Sequence, residues 1–268
     1  MKNKKIFIQH PNRSLLKLSG ADVVKFLQGL VTNNVNELAN KSAIFSCLLT
    51  GNGRFLFDFL LFGVGDNVIV DILSEDLEAF TSKLKMYKLR SDVQFLEMSG
   101  YKVVQALGNE ELSLESDDIL TLFKDPRNAE LGYRVYIKSQ ETLLEAGFVE
   151  EKQDYYQYFR IKNKIAQGED LVKEKAVILE YGYKEQSSVD FDKGCYLGQE
   201  LITRTERLGE IRKQLIYIGL DSALTEEKID ILVKAKTKIV TSVFYDSKYH
   251  YLFISKQSAE DMKALILV

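Results

Sequence analysis

An α+β fold with a β-rich C-terminal end is the architecture this sequence predicts, and three observations carry it. Segments of period two alternate with segments of period 3.6 as far as about residue 206. No internal repeat or proline-rich linker divides them, since Pro11 and Pro126 are the two prolines of the chain. After Arg207 the pattern changes to short alternating runs with one short helix after Ser258, which reads as a small β-barrel or sandwich. The expected division is 1–206 and 207–268.

Taken in order, 6–8 and 14–18 read as short strands. Ser19 stands as N-cap to a helix, with Asp22 at the capping-box spacing in place of the usual Glu. Val23, Phe26, Leu27, Leu30 and Val31 recur at spacings of three and four, and Asn33-Asn34 closes the helix, because Asn tolerates left-handed backbone. A hairpin follows, 43–49 and 55–62, joined by Thr50-Gly51-Asn52-Gly53-Arg54. A third strand runs over 68–73. Ser74 caps the next helix, with Leu77, Phe80, Leu84 and Tyr87 inward, acids in its first turn and lysines in its last, as the macrodipole favours. Strands are expected over 93–98, 102–106 and 133–137, and glycine-closed helices over 139–147 and 154–167. Beyond Arg207, the segments 214–220, 231–233, 238–244 and 249–255 alternate as strands.

Composition excludes several classes of function. Thirty-six Lys and Arg against thirty-nine Asp and Glu give a net charge of −3, so there is no global basic field for duplex nucleic acid. Two cysteines, Cys47 and Cys195, exclude a disulfide framework and a Cys-built zinc site and point to a reducing compartment. His10 and His250 are too few for most catalytic zinc sites. The apolar start, 6–8, is too short for a signal-peptide core, and the most apolar stretch, 55–64, is broken by Asp58. The expectation is a soluble protein that meets no membrane. It is cytoplasmic if bacterial, which the lack of a leader before the first strand favours, and sits in the mitochondrial matrix if eukaryotic.

One segment stands apart from the scaffold: Val189-Asp190-Phe191-Asp192-Lys193-Gly194-Cys195-Tyr196-Leu197-Gly198-Gln199-Glu200. Its glycines permit a tight loop and close approach of backbone to a ligand. Lys193 favours the thiolate of Cys195 if the two side chains point the same way, and a helix over 200–206 would place its N-terminus just behind the sulfur. The residues alone leave two readings open, a reactive loop thiol and a buried loop cysteine. Cys47, in an apolar strand, reads as structural.

Lys193 to Glu200 resembles the Lys-Gly-Cys-Tyr-x-Gly-Gln-Glu hallmark of the YgfZ-type folate-binding proteins. These are relatives of the glycine-cleavage T-protein (aminomethyltransferase), and the superfamily includes mitochondrial iron–sulfur assembly factors. The likeness extends over Leu18-Ser19-Gly20, Phe26-Leu27-Gln28-Gly29, Val31-Thr32-Asn33, Gly53 to Phe59, Lys85 to Arg90, Glu180 and Val240-Thr241-Ser242, which is nearly the whole chain. It implies two intertwined α+β domains around a central opening that admits tetrahydrofolate, with a C-terminal β-barrel. It also implies a role in assembling or repairing iron–sulfur clusters, with effects on cluster enzymes such as those that modify tRNA. Iron–sulfur proteins or their assembly machinery are then partners.

On this reading Cys195 and Lys193 carry the chemistry, with no resident metal. Folate would meet Glu180, Gly194, Tyr196, Gly198, Gln199, Glu200, Arg204 and Asp58. Glu180 is the candidate acceptor for the pterin N–H edge. Arg204, Arg207, Arg212 and Lys213 form a cluster that is either a solvated face or a site for the glutamate tail. The chain also departs from the T-protein. Its hairpin has Phe57-Asp58 where that enzyme has two Asp, and Lys162 replaces the Glu of an Arg-Leu-Glu-Ala-Gly segment. An aminomethyltransferase and a folate-domain scaffold without chemistry are therefore the alternatives. One thiol cannot hold a cluster that wants four cysteines, so clusters would be held elsewhere or shared with a partner.

Overall fold

Strand 1 and strand 2 are neighbours in sequence but belong to different sheets, and that separation organises the molecule. The chain is seen here as a computed structural model that describes residues 5–108, 111–209, 211 and 213–267. Its elements are β1 (Ile6–Gln9), β2 (Arg13–Ser19), α1 (Val23–Gln28), β3 (Ala43–Leu49), β4 (Phe55–Val64), β5 (Asn67–Leu73), α2 (Leu77–Lys88), β6 (Gln94–Met98) and β7 (Lys102–Leu107). They continue as β8 (Ile119–Lys124), β9 (Tyr133–Ile137), α3 (Glu141–Glu145), β10 (Val149–Glu150), α4 (Gln153–Lys162) and α5 (Gln199–Arg207). The last are β11 (Gln214–Leu220), α6 (Glu226–Lys234), β12 (Lys238–Tyr245), β13 (Lys248–Ser255) and α7 (Ala259–Leu267).

One five-stranded antiparallel sheet has the order β3-β4-β5-β2-β6. A second, β10-β1-β7-β9-β8, is antiparallel except for the parallel β1–β10 pair. The first is covered on one face by α1 and α2, where Phe57 and Phe59 pack on Phe80 at ring distances of 5.6 and 4.9 Å. Its other face enters a core with Phe45, Cys47, Phe62, Phe123, Tyr136 and Tyr183. Burial on both faces explains the nearly continuous apolar run of β4. Phe80 is fully buried, and its truncation to Ala would cost about 3–5 kcal/mol.

The two sheets are tied by charge as well. Asp71 on β5 accepts from Arg13 Nε (2.6 Å), from Arg134 Nε (2.9 Å) and from the Tyr136 hydroxyl (2.9 Å), the last two on β9. Burial alone would raise this carboxyl, but the two guanidiniums overcome it and hold Asp71 well below the usual carboxylate range.

Several expectations are corrected. Ser19 stays in β2, paired with Gln94, so no capping box forms, and α1 starts after Asp22 without a side-chain cap. The helix ends at Gly29, and the Asn34 side chain instead caps a 3-10 turn over 35–39. Ser74 opens a short 3-10 turn before α2, and Tyr87 is exposed. α4 stops at Lys162, short of 167. Strand β8 lies outside the sequence-based expectations, because Ile119 to Leu122 are all half-buried and only Phe123 (buried) and Lys124 (exposed) alternate.

Residues 231–233 are helical, part of α6, whose N-cap Thr225 accepts from Lys228 N at 3.4 Å. The C-terminal part is therefore a three-stranded antiparallel sheet, β11-β13-β12. Ile216, Ile218 and Phe253 pack with Leu232, Met262 and Ile266 of α6 and α7, while Leu215, Leu252 and Ile254 of the alternate face join the main core. The described residues form no closed barrel. Among them, no helix is long and apolar enough to cross a membrane.

Candidate functional site

The cysteine loop is fastened at three points, two on the segment between α1 and β3 and one on the β3–β4 turn. The Asp190 carboxylate accepts from the backbone of Asp192 and Lys193, at 2.8 and 3.1 Å, and so folds the loop start. The Lys193 ammonium donates to the carbonyls of Val31 (2.8 Å) and Asn33 (2.7 Å) and lies 5.2 Å from the Tyr196 ring centroid. Leu197 N bonds Gly29 O at 3.1 Å. Burial draws Lys193 down to about 8, with Asp190 opposing. The lysine that the sequence suggests as the thiolate's partner thus spends its donors on two carbonyls.

The third fastening is a contact between two glycines. Gly198 has φ +79°, and a Cβ there would meet Thr50 O at 2.4 Å and Gly53 Cα at 3.0 Å. Gly53, at the hairpin tip with φ +76°, would place its own Cβ 2.6 Å from Leu201 Cβ. The start of α5 therefore seats directly on the β3–β4 turn, which larger residues would push away. Gly194, by contrast, has nothing within 4 Å of its would-be Cβ.

Cys195 emerges exposed and unbridged from this frame. Gln199, the first residue of α5, donates Nε2 to its sulfur at 3.4 Å and accepts from Tyr196 N at 3.1 Å. A cleft of about 460 Å³ beside the thiol is walled by Val24, Lys25 and Gln28 of α1. Gln28 belongs to the Phe26-Leu27-Gln28-Gly29 stretch of the resemblance, whereas Val24 and Lys25 carry no signal in the sequence, because an outward helix face has no periodic pattern of its own. Tyr196 is buried, and Glu200 is exposed in the first turn of α5. Cys47 is fully buried, and burial, aided by Asp58, pushes its thiol well up.

The other predicted residues separate from the loop. Glu180 lies in a 3-10 turn over Ile178–Tyr181 and accepts from Lys213 Nζ at 3.1 Å, in a cleft of about 300 Å³ with Ile165, Leu179 and Leu215. Arg204 is exposed and does not line that cleft, and Arg212 lies outside the described residues. Asp58 is buried: it accepts from the Tyr183 hydroxyl at 2.8 Å, and burial raises its carboxyl against the pull of Arg13. Among the described residues, no group of three or more His, Cys, Asp or Glu is placed to hold a metal ion.

No protein-family model matches the chain. Curated proteins do. The mitochondrial iron–sulfur cluster assembly factor IBA57 homolog of Dictyostelium discoideum is 33% identical over 264 residues, covering 81% of this chain and 63% of that protein. The Mus musculus factor IBA57 is 32% identical over 235 residues, covering 79% and 65%. This chain is a homologue of the IBA57-type assembly factors. The human factor is 29% identical over 228 residues. The chain spans less than two thirds of the length of the curated relatives it matches. Among solved structures, glycine cleavage system aminomethyltransferase T from Bartonella henselae superposes with a TM-score of 0.67 at 10% identity, over 95% of this chain and 79% of that one. The fold is T-protein-like, as the hairpin and cysteine-loop resemblance implied.

Proposed function

We propose that this chain supports assembly or repair of iron–sulfur clusters by presenting Cys195 as one thiolate ligand to a cluster that a partner protein holds. The observation that carries the reading is an exposed sulfur on a loop immobilised by Lys193, Leu197 and the Gly53–Gly198 contact. Four thiolates are the ordinary ligand set of a cluster, so the cluster is cargo at an interface. In the ligation step the Cys195 thiol gives its proton to solvent. Its sulfur bonds an iron, and one exchangeable ligand leaves; no electron is transferred. The Gln199 amide, aimed at Sγ, steadies the sulfur while it waits. The compartment is that of cluster assembly, the matrix in a eukaryote or the cytoplasm in a bacterium.

The test is complementation of cells lacking their own factor. Cys195→Ala is expected to keep the wild-type melting temperature, since an exposed sulfur fills no cavity, and to fail to restore cluster enzymes, the tRNA-modifying ones included. Full rescue by Cys195→Ala would move the scaffold reading ahead.

Tetrahydrofolate is the cofactor that the T-protein-like fold implies, and two clefts suit its parts. Glu180 supplies an acceptor between the apolar walls of Ile165, Leu179 and Leu215 for the pterin edge. Arg127 borders this cleft and a second, of about 390 Å³, where Arg13 adds a half-buried guanidinium for the anionic tail, whereas Arg134 there is held by Asp71 and Gln105. His10 lines that second cleft with its Nε2 lacking a partner. Bound there, the cofactor would supply one-carbon carriage. Glu180→Ala is expected to weaken folate binding by about 1.5–3 kcal/mol, read by tyrosine fluorescence. The aminomethyltransferase alternative finds less support: Asp58 is engaged by Tyr183, and Lys162 bonds the Tyr158 hydroxyl at 3.3 Å.

A further inference from the structure

We infer that Gln186 is a second ligand-binding residue of the cleft that holds Glu180, and that it selects a reduced pterin ring, which offers it a ring N–H, over an oxidised one. The inference rests on the reading of that cleft above and adds what decides its choice of ligand. Local backbone brings the two residues together. Glu180 belongs to the 3-10 turn over Ile178–Tyr181, which Gly182 ends in left-handed backbone at φ +73°. Gln186 N then bonds Gly182 O at 3.1 Å and closes a turn that returns the chain to the same cleft.

Gln186 is 3% exposed, and the two ends of its amide differ. Nε2 donates to Ala166 O at 3.0 Å. That carbonyl fixes the orientation of the amide, because the reverse one would set oxygen against oxygen. Oε1 is shielded and has no hydrogen-bond partner. A buried amide oxygen that meets no donor is unfavourable, and a donor brought by a ligand relieves it. Glu180 is an acceptor too: Lys213 Nζ takes its Oε2 at 3.1 Å, and no hydrogen bond among the described residues uses its Oε1. At about 300 Å³ the cleft takes a ring system and not a long conjugate. Two acceptors in so small a space call for a ring with N–H groups on two sides. The amino–amide edge of a pterin, present in every oxidation state, suits Glu180. The second ring differs between states: its two nitrogens carry hydrogens in the tetrahydro form and bare lone pairs in the oxidised form. A lone pair set against Gln186 Oε1 is repelled, so this oxygen favours the reduced ring.

The test is a calorimetric titration of the full chain, under argon, with two probes that lack a tail: tetrahydropterin and oxidised pterin. Wild type is expected to bind the reduced ring about tenfold or more tighter than the oxidised one. Gln186→Met removes the acceptor and keeps the length of the side chain. It is expected to lose about tenfold in affinity for the reduced ring and to change by less than about twofold for the oxidised one. Glu180→Ala is expected to weaken both rings alike, because the edge it meets is common to both. Melting temperatures check that each variant is folded, and the wild-type comparison of the two rings needs no variant. Equal affinity of wild type for the two rings overturns the role of Gln186, as does a Gln186→Met protein that keeps the preference. Loss of both rings in Glu180→Ala then leaves the folate reading standing. Binding of neither ring by wild type overturns that reading as well.

Discussion

Gln199 turns one amide to both sides of the Cys195 loop, its oxygen to Tyr196 N and its nitrogen to Sγ. Gln199→Leu removes both bonds and keeps the side-chain volume. Alkylation of Cys195 by iodoacetamide at fixed pH is expected to slow about two- to tenfold, the worth of one hydrogen bond of about 0.5–1.5 kcal/mol. An unchanged rate would leave the amide a purely structural role. Lys193 makes a second prediction. Its folded value of about 8 lies below the unfolded lysine value, so below about pH 8 the half-buried ammonium costs stability. That cost is shed as pH rises from about 8 to about 10.4. An NMR titration of the lysine ε-carbons should find one lysine changing charge near pH 8, absent in Lys193→Met. Residue types and spacing made this loop legible in the sequence. The direction of Lys193 was not, because its two acceptors are carbonyls near residue 32, which the fold alone brings beneath it.

Between elements, the seat of α5 on the β3–β4 turn depends on glycine at two positions and not at a third. Gly198→Ala places a Cβ against the Thr50 carbonyl in left-handed backbone and is expected to cost about 1–3 kcal/mol or more. Gly194→Ala, in open space, should stay within about 0.5 kcal/mol. Urea midpoints of the two variants measure the contrast, and equal values would mean that the seat is plastic. The sequence marked both glycines as loop residues, but nothing local tells a glycine needed for contact from one facing water. The same limit explains α6. Ile231, Leu232 and Val233 carry β-branched and apolar character, yet the Thr225 cap and the following Glu-Glu-Lys turn specify a helix that the period-two reading passed over. Where the apolar pattern was long, as in β3, β4 and α2, the sequence sufficed for the element, though not for the cap of α2 or its outward Tyr87.

Across the whole molecule, the two five-stranded sheets meet at Asp71. Asp71→Asn strands the buried guanidinium of Arg134 and the half-buried one of Arg13 and is expected to cost about 3–5 kcal/mol at neutral pH. The carboxyl's folded value is depressed, so its contribution is present at neutral pH and lost as pH falls below the unfolded value of about 3.9. Asp58 is the opposite case. Its folded value is raised, so it costs stability at neutral pH, and the cost is relieved as pH falls. Asp58→Asn, which still accepts from Tyr183, should change stability by less than about 1 kcal/mol. Denaturant midpoints at neutral and mildly acidic pH separate the two variants, and similar losses in both would show that the junction depends on volume and not on charge. The T-protein-like arrangement was readable from motifs spread along the chain. The Asp71 junction was not, because its members come from β2, β5 and β9. The interleaving of β1 has a consequence for a chain as it is made. Ile6 pairs with Leu107 on one side and with Val149 on the other, so this first strand leaves the ribosome long before its partners. At the usual pace of synthesis it waits about 7–30 s for the second of them. Through that interval Ile6, Phe7 and Ile8 are an apolar strand without a sheet, and whatever shields them then decides how much protein reaches the folded state.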